Sequence, residues 1–184
     1  MERDDLIAEI KAVGERYLDA SANLIVLHLF AASAEQVCAG IEAIAGYFVG
    51  STARTLSKGS FLAFATHYLP ELGRTNPGVA LAERPRRPLA TCAEAIYAAY
   101  RGGLFHDGER TSGIQVVDDK RRWMLTFEPD GSARLNAIPF QAQLERGLKQ
   151  YLRDLARRPA LLAKATVRAA FLKRPTFVVP GDRS

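Results

Sequence analysis

The apolar side chains near the start of the chain recur every three or four residues, which is the spacing of one face of an α-helix. Two such stripes are present: Leu6, Ile10, Val13 and Tyr17, then Val37, Ile41, Ile44 and Phe48. The second stripe follows Ser33-Ala-Glu-Gln36, a capping-box pattern, so we expect a helix over 34–48. The run 24–30 between the stripes fits either a short strand or a continuation of the first helix.

The same spacing predicts four more helices. A loop rich in Ser, Thr and Gly over 50–59 precedes the third helix, which Pro70 ends. The proline-rich stretch 70–89 is predicted to be a long connection within one domain. Helical spacing then resumes in three segments: 90–100, 140–155 and 159–172.

The hydrophobic period changes between the fourth and fifth predicted helices. Residues 113–117 and 123–127 have β-type patterns, and Pro129-Asp-Gly131 is a turn signal before 133–136. We therefore expect a small antiparallel hairpin or meander over 113–136. Trp123 is expected to pack this hairpin onto the helices, and the alternative is an exposed platform for base stacking.

The predicted fold is mainly α: a bundle of about five to six helices with a small β insertion. With 184 residues and 48% hydrophobic content, the chain can bury one core, so a single domain over 1–184 is expected. Its parts are the loop 70–89, the β insertion 113–136 and basic C-terminal helices over 140–172.

Several features favour a cytoplasmic protein that does not enter a membrane. The first residues are acidic where a secretory signal needs basic ones, and the apolar run Leu24–Ala32 is half the length of a membrane span. Cys38 and Cys92 have no metal-ligand spacing, so we expect buried thiols in a reducing compartment. The three histidines have no ligand partners at suitable spacing, and neither a metal nor another cofactor is expected.

The net charge of +5 is unevenly distributed along the chain. Residues 1–100 carry 9 basic and 11 acidic side chains, and residues 101–184 carry 16 and 9. Between Arg146 and Arg174, nine basic residues accompany the single acid Asp154, which suits either polyanion binding through counterion release or a solvated helix face. The candidate nucleic-acid-binding residues are Arg146, Lys149, Arg153, Arg157 and Arg158.

Arg101 and His106 suit phosphodiester chemistry without a metal. An imidazole of near-neutral pKa can take the proton from a ribose 2′-OH, while a guanidinium neutralises charge on the phosphate. Five residues of continuous helix would place the two side chains about 140° apart, but Gly102 and Gly103 can break the helix. The alternative is that His106 caps the helix end while Arg101 makes an ordinary surface ion pair.

The run Tyr97–Gly108 resembles the Arg-x4-His signature of HEPN-type ribonucleases, in which an aromatic-containing amphipathic stretch leads into Arg-x-Gly-Leu-x-His-x-Gly. The surrounding layout is also similar to a subset of uncharacterised bacterial HEPN-like proteins with a β insertion after the motif. Phe61-x-x-Phe64-x-x-x-Tyr68-x-Pro70 precedes the motif, and Asn136-x-x-Pro139-Phe140 leads into a long helix. The resemblance covers roughly residues 33–157.

The resemblance implies a helical bundle that dimerises around the motif, with Arg101 and His106 as the catalytic pair of a metal-independent endoribonuclease. Asp107 or Glu109 would orient His106 in that case, and the alternative for each is a solvated loop carboxylate. The implied partners are a second copy of the chain, RNA, and a protein such as an antitoxin. Gly102 stands where the nuclease members usually have a polar residue, which favours the alternative of a noncatalytic dimerisation or protein-interaction module.

Overall fold

Six α-helices and a small β-sheet form the described part of the computed structural model, which covers residues 2–75, 89–107, 113–119, 123–127 and 133–174. In chain order they are α1 (Arg3–Val26), α2 (Phe30–Val49), α3 (Lys58–Tyr68), α4 (Cys92–Gly102), β1 (Phe105–His106), β2 (Ile114–Val117), β3 (Leu125–Phe127), β4 (Ala133–Asn136), α5 (Ala137–Arg157) and α6 (Pro159–Leu172). The predicted mainly α fold with a small β insertion is confirmed.

Helix α2 is the centre of the fold. It contacts each of the other five helices and also strands β1 and β2. Its side chains are therefore apolar around most of the helix rather than along one stripe. Val37, Ile41 and Ile44, which marked this helix in the sequence, are completely buried.

The apolar run 24–30 belongs to two helices. Helix α1 continues to Val26, so the alternative of a short strand is wrong. His28 has a positive φ of 58°, and it reverses the chain before α2 begins at Phe30. Ile25 before this turn and Phe30 after it are partly buried against the core.

The predicted capping box at Ser33 is also wrong. Ser33 lies inside α2, and its hydroxyl is 2.8 Å from the hydroxyl of Ser21 on α1. Both serines are completely buried, so each hydroxyl satisfies the other's hydrogen-bonding capacity between the two helices. Ser33 therefore joins helices α1 and α2 and does not mark the start of a helix.

Aromatic side chains join α2, α3 and α5. Phe48, Phe64, Tyr68 and Tyr151 form a cluster with ring centroids 5.1 to 6.0 Å apart, a geometry of favourable tilted and edge-to-face contacts. The Tyr68 hydroxyl donates a 3.1 Å hydrogen bond to the Asp154 carboxylate on α5. This pairing explains why the single acid of the basic C-terminal segment is buried.

The sheet has the strand order β1-β2-β4-β3 and mixed pairing. The expected antiparallel pairing is found between β3 and β4, where Thr126 faces Arg134. Strand β2 was expected to form a hairpin with β3, but it pairs in parallel with β1 and β4 instead. The connection from β2 to β4, residues 118–132, supplies the long crossover that parallel pairing requires.

Trp123 does not pack onto the helices, which corrects the expectation from its sequence. Its side chain is 59% exposed, whereas the next residue, Met124, is completely buried. Just before β3, Met124 therefore occupies the inward position and Trp123 the outward one.

The remaining predicted elements agree closely with the structure. Helices α3, α4, α5 and α6 all occur where the helical spacing placed them. In the predicted connection 70–89, Thr75 forms a β-bridge with Thr91. Residues 76–88 and the turn signal 129–131 lie outside the described residues.

Candidate functional site

The candidate motif lies at the end of α4. The Thr91 hydroxyl accepts a 3.2 Å hydrogen bond from the Glu94 amide and so caps the start of this helix. The helix ends at Gly102, and Gly103 adopts the left-handed conformation with a φ of 63°. The predicted break at the two glycines is thus confirmed, and the chain leaves the helix between Arg101 and strand β1.

The Arg101 guanidinium lies beside a carboxylate of α2. Arg101 Nη1 is 3.9 Å from Glu42 Oε1, and the Arg101 side chain is 49% exposed. The Tyr100 hydroxyl donates to the other carboxylate oxygen, Glu42 Oε2, at 3.3 Å. Burial and the nearby Glu42 charge raise the pKa of Tyr100 to about 12, so this hydroxyl is protonated at neutral pH.

Arg101 also lines an open groove of about 340 Å³. Two further arginines line it, Arg54 from the loop after α2 and Arg168 from α6, and Glu42 supplies a carboxylate. The described lining of this groove, which we call the Arg101 groove, thus includes three guanidinium groups and the Glu42 carboxylate.

Arg168 is the structural arginine of the groove. It is buried, and its Nη1 donates to the Ser51 and Ala53 carbonyl oxygens at 3.1 and 2.5 Å. These bonds hold the loop after α2 against α6. Burial lowers the pKa of Arg168, but an arginine remains charged at neutral pH, so its positive field persists in the groove.

The structure describes only some of the other motif residues in full. The backbone of His106 lies in β1 and pairs with Gln115, while its side chain lies outside the described part of the structure. Glu109 lies entirely outside the described residues. The Asp107 carboxylate accepts a 2.6 Å hydrogen bond from the Ala31 amide at the start of α2. An additional role of Asp107 in orienting His106 stays a prediction.

The candidate nucleic-acid-binding residues of α5 form a narrow stripe. Arg146, Lys149, Arg153 and Arg157 are all exposed, and their spacing confines them to a sector about 80° wide and roughly 16 Å long. We call these four residues the α5 stripe. Lys149 makes a 2.5 Å ion pair with Glu145, which lies next to the stripe on the same helix.

Arg158 differs from the residues of the α5 stripe. Its Nη2 lies 3.7 Å from Asp154 Oδ2, the oxygen that also accepts from Tyr68. Its charge is thus partly balanced by a buried carboxylate, and we expect a weaker contribution from Arg158 to any polyanion contact.

Sequence reasoning missed the groove around Arg101. Arg54, Arg168 and Glu42 are all far from Arg101 in the sequence, so no local motif connects them to it. The run of basic residues on 146–174 was visible, but nothing in that run distinguishes buried Arg168 from the exposed cations of α5.

The described residues contain neither a membrane-spanning helix nor a cluster of metal ligands. No helix in those parts of the chain is long and apolar enough to cross a membrane. Nor do three or more His, Cys, Asp or Glu side chains come together there in a way that could hold a metal ion.

In comparisons with known proteins, no family model, no curated protein and no solved structure matches the chain.

Proposed function

We propose that this protein is a HEPN-like RNA-binding protein that cleaves RNA without a metal, using Arg101 and His106. The observation that carries the proposal is the position of Arg101: half-exposed, at the end of α4, and lining a groove with two further arginines. Strand β1, which includes His106, begins only four residues after Arg101 in the chain. A second copy of the chain would complete the site around the motif.

The proposed reaction is an internal transesterification. The His106 imidazole takes the proton from the ribose 2′-OH, and the 2′-oxygen attacks the adjacent phosphorus. The bond from phosphorus to the 5′-oxygen breaks, that oxygen takes a proton from water, and the His106 imidazolium returns its proton to the solvent. The products are a 2′,3′-cyclic phosphate and a 5′-hydroxyl. Arg101 holds the phosphate and neutralises the charge that develops on its oxygens.

Glu42 is the carboxylate beside which an RNA phosphate must bind Arg101. At 3.9 Å the ion pair is long, and its Arg101 side chain is 49% exposed whereas its Glu42 side chain is 15% exposed. A phosphate can accept two parallel hydrogen bonds from one guanidinium, which is a stronger arrangement. The phosphate therefore binds the exposed side of Arg101 in this proposal, and the α5 stripe adds longer-range attraction for the polyanion.

A noncatalytic interaction module is the second candidate, and one observation favours it. Val26, Leu27 and Leu29 at the turn between α1 and α2 are 76%, 64% and 45% exposed. Asp107 contacts the first turn of α2, so this apolar turn lies next to the motif segment. Neighbouring exposed apolar side chains suit a protein contact, with a second copy of the chain or with a partner such as an antitoxin.

The test is cleavage of a mixed RNA pool in EDTA by the wild type, Arg101→Ala and His106→Ala, with Arg3→Ala as a matched loss of an exposed arginine on α1. Loss of the general base is expected to slow cleavage about 100-fold or more. Arg3→Ala should cleave normally. Arg101→Ala should remain folded, because the Arg101 side chain is half-exposed and Glu42 keeps its hydrogen bond from the Tyr100 hydroxyl.

Two results would overturn the nuclease proposal. One is an absence of cleavage by the wild type at high enzyme concentration, and the other is unchanged cleavage by both motif variants. In either case the interaction module becomes the preferred function. Light scattering of the wild type and Leu27→Asp then tests whether the exposed turn mediates self-association.

A further inference from the structure

An exposed aromatic platform lies away from the Arg101 groove. Trp123 is 59% exposed, and the Arg74 guanidinium carbon lies 5.8 Å from its ring centroid. This is the distance of a cation–π contact, so Arg74 lies over one face of the indole and holds a positive charge there. An indole with this much exposed surface retains a large apolar area for another flat group.

A shallow groove continues from this platform. It has a volume of about 120 Å³ and is lined by Arg74, Met124, Leu125 and Phe127, among others. Cavities that enclose a small molecule usually measure about 300 to 1,000 Å³, so this one suits a ligand that lies along the surface. In the part of the sheet that the structure describes, β3 is an edge strand.

The cation at the platform is Arg74, and the acid that also lines the groove is Glu71. Arg74 lies between Trp123 and the groove, and the nearby Glu71 carboxylate is engaged by the Gln143 amide at 2.5 Å. The chain as a whole has a net charge of +5. An aromatic face beside a cation is the arrangement with which proteins bind unpaired nucleotides: the base stacks and the cation attracts the backbone.

We propose that Trp123 and Arg74 form a stacking site for an unpaired base of single-stranded RNA. This inference rests on the proposed function and specifies its substrate, because base faces in a duplex are stacked on one another and are not accessible to a side chain. The groove beside β3 receives the neighbouring nucleotide. Since every base has a π-face, the site accepts RNA without strong sequence preference.

Trp123 is the only tryptophan of the chain, so its fluorescence reports directly on this site. The probe is a 2′-O-methyl oligoadenylate, which cannot undergo the proposed cleavage because its 2′-oxygen is blocked. A duplex of the same length tests the need for unpaired bases, and inorganic polyphosphate tests charge alone. We expect strong quenching by the single strand and little change with the duplex or with polyphosphate.

Affinity for the same labelled oligonucleotide is then measured by anisotropy. Loss of one stacked base weakens binding by about 5- to 150-fold, so Trp123→Leu should show a loss in this range. Trp123→Phe should retain part of the affinity, and Arg74→Gln should weaken binding. Arg3→Gln serves as the control for loss of one positive charge elsewhere. The exposure of Trp123 makes all of these variants compatible with folding.

The outcomes separate this proposal from the nuclease proposal. Binding of the oligonucleotide without quenching, or with Trp123→Leu as tight as the wild type, overturns the stacking site and leaves cleavage by Arg101 and His106 untouched. Equal quenching by the duplex overturns the preference for unpaired bases. Quenching and a Trp123-dependent affinity in a protein that cleaves no RNA would support the stacking site and overturn the nuclease.

Discussion

The Asp107 carboxylate caps helix α2 by accepting a 2.6 Å hydrogen bond from the Ala31 amide, across 76 residues of the chain. Helix α2 lacks a local cap, because its N-cap residue is Leu29, whose side chain cannot accept a hydrogen bond. Its first turn also contains no acidic residue. Asp107 therefore supplies both the missing acceptor and the negative charge that the positive end of a helix favours.

Replacing Asp107 should lower the free energy of unfolding. We expect Asp107→Ala to lose about 1 kcal/mol, the usual effect of removing a cap, and Asp107→Asn to lose less because its amide oxygen still accepts. Urea denaturation of both variants measures the difference. Equal stability of Asp107→Ala and the wild type would show that the bond to Ala31 contributes nothing in solution.

The contact between Asp107 and Ala31 also shows where sequence reasoning reaches its limit. Helices α3 to α6 were predicted well because the face that each one buries is encoded by residues three or four positions apart. The start of α2 was misplaced because its cap comes from a distant segment. Ser33 has the sequence of a local cap, yet its hydroxyl is buried against Ser21 on another helix.

The pairing of the strands and the neighbours of Arg101 also depend on residues that are distant in the sequence. The strands themselves were visible in the sequence, but the choice of β4 rather than β3 as the partner of β2 depends on tertiary packing. Arg101 was identified from the motif. Its neighbours Arg54, Arg168 and Glu42 were not, because only the packing of α2, α4 and α6 brings them together.

Gly103 should be required for its backbone conformation. Its φ of 63° is disfavoured for residues with a Cβ, and no atom among the described residues lies within 4 Å of where a Cβ would be. Gly103→Ala should therefore cost about 1 kcal/mol through strain rather than through a clash. Gly103→Asn should cost less, because asparagine tolerates the left-handed region.

Gly102→Ala is the matched control for the variant Gly103→Ala. Gly102 is the last residue of α4, and its conformation does not require a glycine. A Cβ there would meet the flexible side chain of Leu104 at 3.2 Å, so we expect a neutral or slightly stabilising change. Thermal unfolding of all three variants gives the comparison. If Gly103→Ala is as stable as Gly102→Ala, the positive φ does not limit this position.

The α5 stripe should control the salt dependence of RNA binding. Each cation that contacts a single-stranded phosphate backbone contributes about 0.7 to the slope of log affinity against log salt concentration. Arg153→Gln and Arg157→Gln should each lower the slope by about that amount, since both side chains are exposed on the stripe. Arg3→Gln on α1 should leave the slope unchanged. Equal slopes for all three variants would place the RNA elsewhere.

Buried Tyr47 should make the fold sensitive to alkaline pH. Its hydroxyl donates a 3.1 Å hydrogen bond to Glu9, and burial, together with that carboxylate, raises the pKa of Tyr47 to about 12. In the unfolded chain a tyrosine ionises near pH 10. Above that pH the unfolded state loses a proton that the folded state retains, so stability falls as the pH rises toward 12.

The loss should amount to about 1.4 kcal/mol for each pH unit between the two pKa values, for this tyrosine alone. Other groups also titrate in this range, so the test compares the wild type with Tyr47→Phe, using urea denaturation at pH 8 and pH 11. The variant starts less stable because it lacks the bond to Glu9. It should nevertheless lose less stability between the two pH values. Parallel losses in the two proteins would mean that Tyr47 ionises equally readily in the folded and unfolded states, contrary to its buried position beside Glu9.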